Sequence, residues 1–136
     1  MTSSSEVVLE APHSELRFRR PRPGVVVLVV TGKDVGEHGA SPFAELAKDV
    51  AGGGFHLFVD ARAARGVTIE VSSDWGRWLM QQRAHLLSVQ MLTGSRFVQL
   101  TAQTVRNFAE LGERMRIYTD PAAFEDELAA FTLRAP

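Results

Sequence analysis

The residues best suited to chemistry in this chain stand where its hydrophobic segments end. Asp60 closes the run Phe55–Asp60, and a carboxylate at the carboxyl end of a parallel strand lies in the crevice where open α/β sheets bind ligands. The same carboxylate can also pair with Arg62 or Arg65, or close the local turn. Asp60 and Arg62 are therefore candidates either for a ligand-binding site or for an ion pair of local importance.

A second polar group, formed by Ser72, Ser73 and Asp74, lies just before a predicted helix that begins at Trp75. The N-terminus of a helix favours negative charge. A phosphoryl group on Ser72 or Ser73 would be stabilised there and would add a charge of roughly −1.5 to −2. Ser and Asp are also preferred N-cap residues. Phosphorylation and plain N-capping both explain these residue types.

Two tryptophans in the same predicted helix, Trp75 and Trp78, are spaced so that both can face roughly one way. Tryptophan is enriched among the anchors of protein–protein interfaces, and it packs equally well in a hydrophobic core. The residues predicted to bind a partner or ligand are Asp60, Arg62, Asp74, Trp75, Arg77 and Trp78.

Other patterns argue against an enzyme. The glycines of 36–39 match neither dinucleotide nor P-loop spacing, and no G-x-S-x-G elbow is present. The chain has no cysteine, and its four histidines lack the spacing that places two imidazoles on one metal. We therefore predict no catalytic residues, no metal and no cofactor.

Bulk properties point to an ordinary globular protein. The chain has 136 residues, enough for one domain with its own core, and a net charge of −1. This charge offers no general attraction to nucleic acid or anionic lipid, and the longest aliphatic run, Val25–Val30, is too short to cross a bilayer. The first five residues lack the features of a secretory signal. We predict a cytoplasmic protein that binds neither nucleic acid nor membranes.

Hydrophobic patterns alternate between strands and helices along the chain. Such alternation predicts crossover connections and an α/β fold, with a mixed, mostly parallel sheet flanked by about four helices. The predicted strands are Val7–Leu9, Leu16–Phe18, Val25–Val30, Phe55–Asp60, Val89–Leu92 and Met115–Tyr118. The predicted helices are Pro42–Val50, Trp75–Leu86, Phe97–Leu111 and Pro121–Phe131. An irregular segment, Ala61–Ser73, is expected between the second long strand and its helix. Residues 1–5 are predicted to be disordered, 6–132 to form one domain and 133–136 to be a tail.

This order of elements resembles the STAS domain, the fold of anti-sigma-factor antagonists, over about residues 7–131. In that family a strand ending in Asp leads to a D-S-S-G-like motif at the start of the second helix. Here Leu57-Phe58-Val59-Asp60 matches the strand, and Val71-Ser72-Ser73-Asp74 falls where the motif is expected. Because the first Ser of the motif is the family's phosphorylation site, the resemblance implies Ser72 as the regulatory position. Val71 and Asp74 differ from the motif.

Two functional hypotheses follow. The first is a non-enzymatic, STAS-like interaction module in bacterial signalling. Its partner is a regulator, a kinase or an anti-sigma-like protein, and serine phosphorylation at Ser72 or Ser73 switches binding. The alternative is a domain that binds a small apolar or anionic ligand near Asp60, since another branch of similar folds holds apolar ligands or lipids. A homodimer is compatible with both hypotheses, through a sheet edge or through the helix face that carries Trp78.

Overall fold

A computed structural model of the protein describes residues 6–133, so the predictions for 1–5 and 134–136 lie outside the described residues. Over the described residues, six strands form one sheet whose spatial order follows the chain order. The strands are β1 (Val7–Glu10), β2 (Ser14–Arg22), β3 (Val25–Asp34), β4 (Phe55–Val67), β5 (Leu86–Thr93) and β6 (Met115–Tyr118). The first three strands pair antiparallel and the last four pair parallel. The predicted α/β class is confirmed.

In residues 6–133, four α-helices flank the sheet, as predicted. They are α1 (Ser41–Ala51), α2 (Ile69–Gln81), α3 (Arg96–Phe108) and α4 (Pro121–Leu133), with short 3₁₀ turns at Arg83–His85 and Gly112–Arg114. Three helices cover one face, where Leu46, Leu79 and Ala102 join the main core. Among the described helices, α4 alone covers the other face, with Phe124 in the second cluster of buried residues. Leu133, expected to start the tail, still belongs to α4.

The centre of the sheet is buried because β3 is covered on both faces. Val25, Val26, Val27 and Leu28 are all at most 2% exposed. A run without polar alternation is typical of a strand of this kind. Alternate residues serve different cores, since Val26 and Leu28 join the α1–α3 side while Val25 and Val27 join the α4 side.

An ion-pair network joins the antiparallel part of the sheet to α1. Arg20 of β2 donates to Glu45 at 2.8 Å and to Asp49 at 2.7 Å. Burial tends to raise the pKa of the Glu45 carboxyl, but hydrogen bonds from Lys48 and Arg20 outweigh it and hold this pKa below its usual range. Glu45 is therefore ionised at neutral pH, and α1 is fixed to β2 by charge as well as by packing.

The irregular segment expected at Ala61–Ser73 is not there. Strand β4 continues to Val67, paired with β3 through two register shifts, and α2 begins at Ile69. The hydroxyl of Thr68 accepts a hydrogen bond from the N–H of Val71 and so provides the N-cap. N-capping by Ser72, Ser73 or Asp74 is therefore wrong. Helix α2 also ends earlier than predicted, because Leu86 is the first residue of β5.

Candidate ligand-binding site

An apolar cavity of about 110 Å³ lies between the sheet and helices α2 and α3, and it is partly open to solvent. The sheet provides its floor through residues of β2 to β6 that include Leu28, Val59 and Met91. Trp75 and Leu79 of α2 form one wall, and α3 forms the other. The cavity therefore lies inside the main core rather than on its surface.

Small residues make the space. The extended end of β4 contributes Ala61, Ala64 and Gly66 to the cavity, and α3 contributes Ala102. Strand positions under two helices are more often filled by branched or aromatic side chains. Because these four residues carry at most one side-chain carbon, helices resting on the larger neighbours leave a void above them.

Few polar groups line the cavity, and their hydrogen bonds are made within the protein. The hydroxyl of Ser72 donates to the carbonyl of Ile69 at 3.0 Å, and that of Thr101 donates to the carbonyl of Phe97 at 3.1 Å. Both donors are thus used within their own helices. Asp34 is the one charged residue among those that line the cavity, and one of its oxygens accepts the N–H of Gly36 at 2.9 Å. Such a site can bind apolar groups, but it offers no acid–base pair for catalysis.

Asp60 and Arg62, predicted as site residues, lie on the opposite face of the sheet. Arg62 donates from Nε to Asp60 at 3.0 Å and pairs through Nη2 with Glu125 of α4. The hydrogen bonds that Arg62 donates to Asp60 and Glu125 raise the pKa of its guanidinium. The local ion-pair interpretation of Asp60 is confirmed, and the sheet separates this pair from the tryptophans.

The serine group lies inside α2 rather than before it. Ser72 is half-buried and lines the cavity, whereas its neighbour Ser73 is exposed. Asp74 is exposed and forms an ion pair with Arg77 at 3.2 Å. The resemblance placed Ser72 at the start of the helix, but the N-cap is Thr68, one turn earlier.

Trp75 and Trp78 pack against α1. The ring centroid of Phe43 lies 4.8 Å from that of Trp75 and 5.7 Å from that of Trp78. Both indoles are half-buried, and Trp75 also lines the cavity. Their aromatic contacts join α1 to α2, so they form no open anchor surface with Asp60 and Arg62.

Two of the histidines have clear side-chain partners. His38 is buried and its Nε2 lies 2.8 Å from the hydroxyl of Ser14, while His13 pairs with Glu37 at 3.0 Å. Within residues 6–133, no group of three or more His, Asp or Glu side chains is arranged to hold a metal. Over the same range, no helix is both long and apolar enough to span a membrane.

Sequence reasoning missed the residues that form the cavity. Ala64, Val98 and Ala102 carry no functional motif, and they meet only through the tertiary fold. One available signal was composition, since the residues after Asp60 are mainly Ala, Arg and Gly. This composition does not by itself predict a strand, because Gly and Ala are depleted in strands.

An antiparallel start followed by four parallel strands, with three helices on one face and one on the other, defines a STAS-like α/β fold. Comparison with solved structures confirms this class as the SpoIIAA-like fold. One similar structure is an uncharacterized protein of the DUF3478 family from Shewanella loihica PV-4, with a TM-score of 0.59 and 14% identity over 94% of this chain and 98% of that one.

A second similar structure is the anti-sigma factor antagonist SpoIIAA in its unphosphorylated form. Its TM-score is 0.52 and its sequence identity 17%, over 84% of this chain and 96% of that one. Neither structure is described as an enzyme. No protein-family model matches the chain, and no curated protein sequence does. The similarity therefore establishes the fold alone.

Proposed function

We propose that this protein is a non-enzymatic binding domain that takes a small apolar ligand into the cavity beneath α2 and α3. The observation that carries the proposal is the cavity itself, about 110 Å³ in volume and lined almost entirely by hydrocarbon. Voids of this size are rare in close-packed interiors, and an engineered apolar cavity of about 150 Å³ binds benzene or xenon. An apolar void also lowers stability, so a ligand that fills it stabilises the folded state.

The volume and apolar lining of the cavity predict the type of ligand. Burying a methylene group is worth about 0.8 kcal/mol, so affinity should rise with chain length until the space is full. The hydroxyls of Ser72 and Thr101 are already used as donors. A polar end group would therefore remain at the opening while the apolar part enters. Short alkyl chains and single rings fit this description.

A series of n-alkanols from butanol to decanol tests the proposal. We expect the thermal midpoint to rise with each added methylene and then to level off where the cavity is full, because a ligand that binds only the folded state stabilises it by mass action. Differential scanning calorimetry at fixed free alkanol concentration measures the effect, and isothermal titration gives the Kd. Filling the space with Ala102→Leu should weaken binding of the best alkanol at least about tenfold, the equivalent of about two methylenes.

Ala44→Leu is the matched control, since Ala44 is an exposed alanine on α1. It should leave the alkanol series unchanged. Equal binding by wild type and Ala102→Leu would contradict the proposal, as would a wild-type midpoint that does not rise with any alkanol.

A second candidate function is the regulatory interaction module suggested by similarity to SpoIIAA. Here the partner would be a regulator, a kinase or an anti-sigma-like protein, and the setting would be the bacterial cytoplasm. The exposure of Ser73 on α2 favours a phosphorylation switch at this residue. Ser72 is the poorer acceptor, since its hydroxyl bonds to Ile69 and lines the cavity.

Glutamate substitutions should affect stability differently at the two serines. Ser73→Glu should change the free energy of unfolding by less than about 0.5 kcal/mol, as is usual for surface positions. Ser72→Glu should cost about 1–3 kcal/mol, because it places a carboxylate at the cavity wall. Urea denaturation measures both variants. Mass spectrometry of the protein from its native host then shows which serine carries phosphate, and phosphate on Ser72 alone would contradict the assignment to Ser73.

A further inference from the structure

We propose that the outer surface of α2 and α3 is a self-association surface, on which a second copy of this chain packs about a two-fold axis parallel to the helices. Large exposed apolar side chains concentrate on this surface. Ile69 is 80% exposed, Phe97 59%, Leu100 46% and Phe108 52%. Apolar patches of this kind commonly mark interaction sites.

The apolar residues of α3 form a continuous stripe. At about 100° per residue, Phe97, Leu100, Thr104 and Phe108 fall within about 80° of arc. The hydroxyl of Thr104 donates to the carbonyl of Leu100 at 3.0 Å, so its donor is already satisfied. Phe97 lies over Gly66, and Phe108 lies over Gly76 of α2, where a Cβ would be 2.7 Å from the ring. The stripe thus borders α2.

Helices α2 and α3 carry opposite charges. Helix α3 carries Arg96 and Arg106 and no acidic residue, while the first half of α2 carries Glu70 and Asp74. Asp74 pairs with Arg77. Glu70 and Arg96 are exposed, and neither forms an ion pair with another residue of the described chain. In addition, Arg96 begins its helix, where the dipole disfavours a cation. An anionic partner would relieve that cost.

In the proposed dimer, Glu70 of the second copy is the anionic partner of Arg96. Because α2 and α3 each follow one of two neighbouring parallel strands by right-handed crossovers, they run side by side in the same direction. A two-fold axis along that direction places α2 of one copy over α3 of the other, with their N-termini at the same end. Glu70 of each copy then faces Arg96 of the other at that end, and the apolar stripes meet along the axis towards the C-terminal ends of the helices.

The size of the surface predicts a weak dimer. Each helix has 13 residues and is about 20 Å long. Two adjacent helices offer roughly 400 Å², well below the roughly 800 Å² per partner of a standard interface. We therefore expect dimerisation at roughly 10–100 µM protein, an affinity typical of small interfaces with few anchors.

Sedimentation velocity of the whole chain between 5 and about 500 µM tests the proposal at low salt, where ion pairs are least screened. The wild type should change from monomer to dimer. Leu100→Ser should raise the dimer Kd at least about tenfold, because it places a polar group in the stripe between Phe97 and Thr104. Leu87→Ser is the matched control, since Leu87 is also exposed but belongs to β5, and its Kd should equal that of the wild type.

Charge reversal tests the two-fold arrangement itself. Glu70→Arg and Arg96→Glu should each raise the Kd about tenfold by placing like charges opposite one another, and the double variant should return it to within about threefold of the wild type. Circular dichroism verifies that each variant is folded. A wild type that stays monomeric at 500 µM, a dimer insensitive to Leu100→Ser, or a double variant without restored affinity would each overturn the proposal. None of these outcomes depends on whether the cavity binds a ligand.

Discussion

Gly32→Ala is expected to lower the free energy of unfolding by about 3 kcal/mol or more, a large effect for the addition of one methyl group. Gly32 has φ +81°, and a Cβ added there would lie 2.3 Å from the carbonyl oxygen of His13. That oxygen also accepts the N–H of Lys33 at 2.9 Å. Because the clash is with backbone, relief requires the start of β2 to move away from β3. Urea denaturation followed by fluorescence of the two tryptophans measures the loss.

Gly24→Ala is the matched control for this substitution. Gly24 has nearly the same backbone conformation, with φ +85°, but a Cβ there meets nothing within 4 Å. It should cost about 1 kcal/mol, the conformational penalty alone. If both variants lowered the free energy of unfolding equally, the contact with His13 would add no destabilisation, and this result would contradict the prediction.

Phe58→Ala is the second substitution with a large expected effect, a loss of about 3–5 kcal/mol. Phe58 is fully buried in β4, and its ring centroid lies 5.8 Å from that of Phe124 and 5.4 Å from that of Phe131. Since α4 is the only helix on this face of the sheet within residues 6–133, loss of the Phe58 ring removes the main packing contact that holds the helix.

Chemical denaturation measures how much Phe58→Ala lowers the free energy of unfolding, and amide hydrogen exchange shows which elements are destabilised. Protection should drop most in α4. Leu133→Ala serves as the comparison at the end of the same helix, where the side chain is 84% exposed and the expected loss is below about 0.5 kcal/mol. A loss below 1 kcal/mol for Phe58→Ala would mean that α4 is held by other contacts.

The sequence predicted the order and type of all the main elements because their signals are local. The unbroken valines of β3 and the apolar spacing of α1 carry this information in a few consecutive residues. The end of β4 was missed for the same reason. Residues 61–66, mainly Ala, Arg and Gly, have weak strand propensity, and they are extended because β3 pairs with them. Tertiary pairing overrode local preference.

The start of α2 was missed because its first residues, Ile69 to Ser73, are mostly β-branched or hydroxyl residues that form helices poorly in isolation. Packing of Val71 into the core and the cap at Thr68 place that turn in the helix. The site was predictable only in part. Pairing of Asp60 with Arg62 depends on neighbours in the chain, whereas the cavity depends on alanines of β4 and α3 that meet only after folding.

The order of strands in the sheet has a consequence for how this chain is made. Since each strand pairs with the one synthesised just before it, no strand must be inserted between two that are already joined. The sheet can therefore grow in one direction as the chain emerges from the ribosome, by steps that close only short segments. Helix α4 follows β6 in the chain, and within the described residues it is the one helix that covers Phe58 and Leu92. Until α4 has been synthesised and has packed, this face of the nascent sheet is exposed to water, and this is the stage at which a chaperone has a hydrophobic surface to recognise.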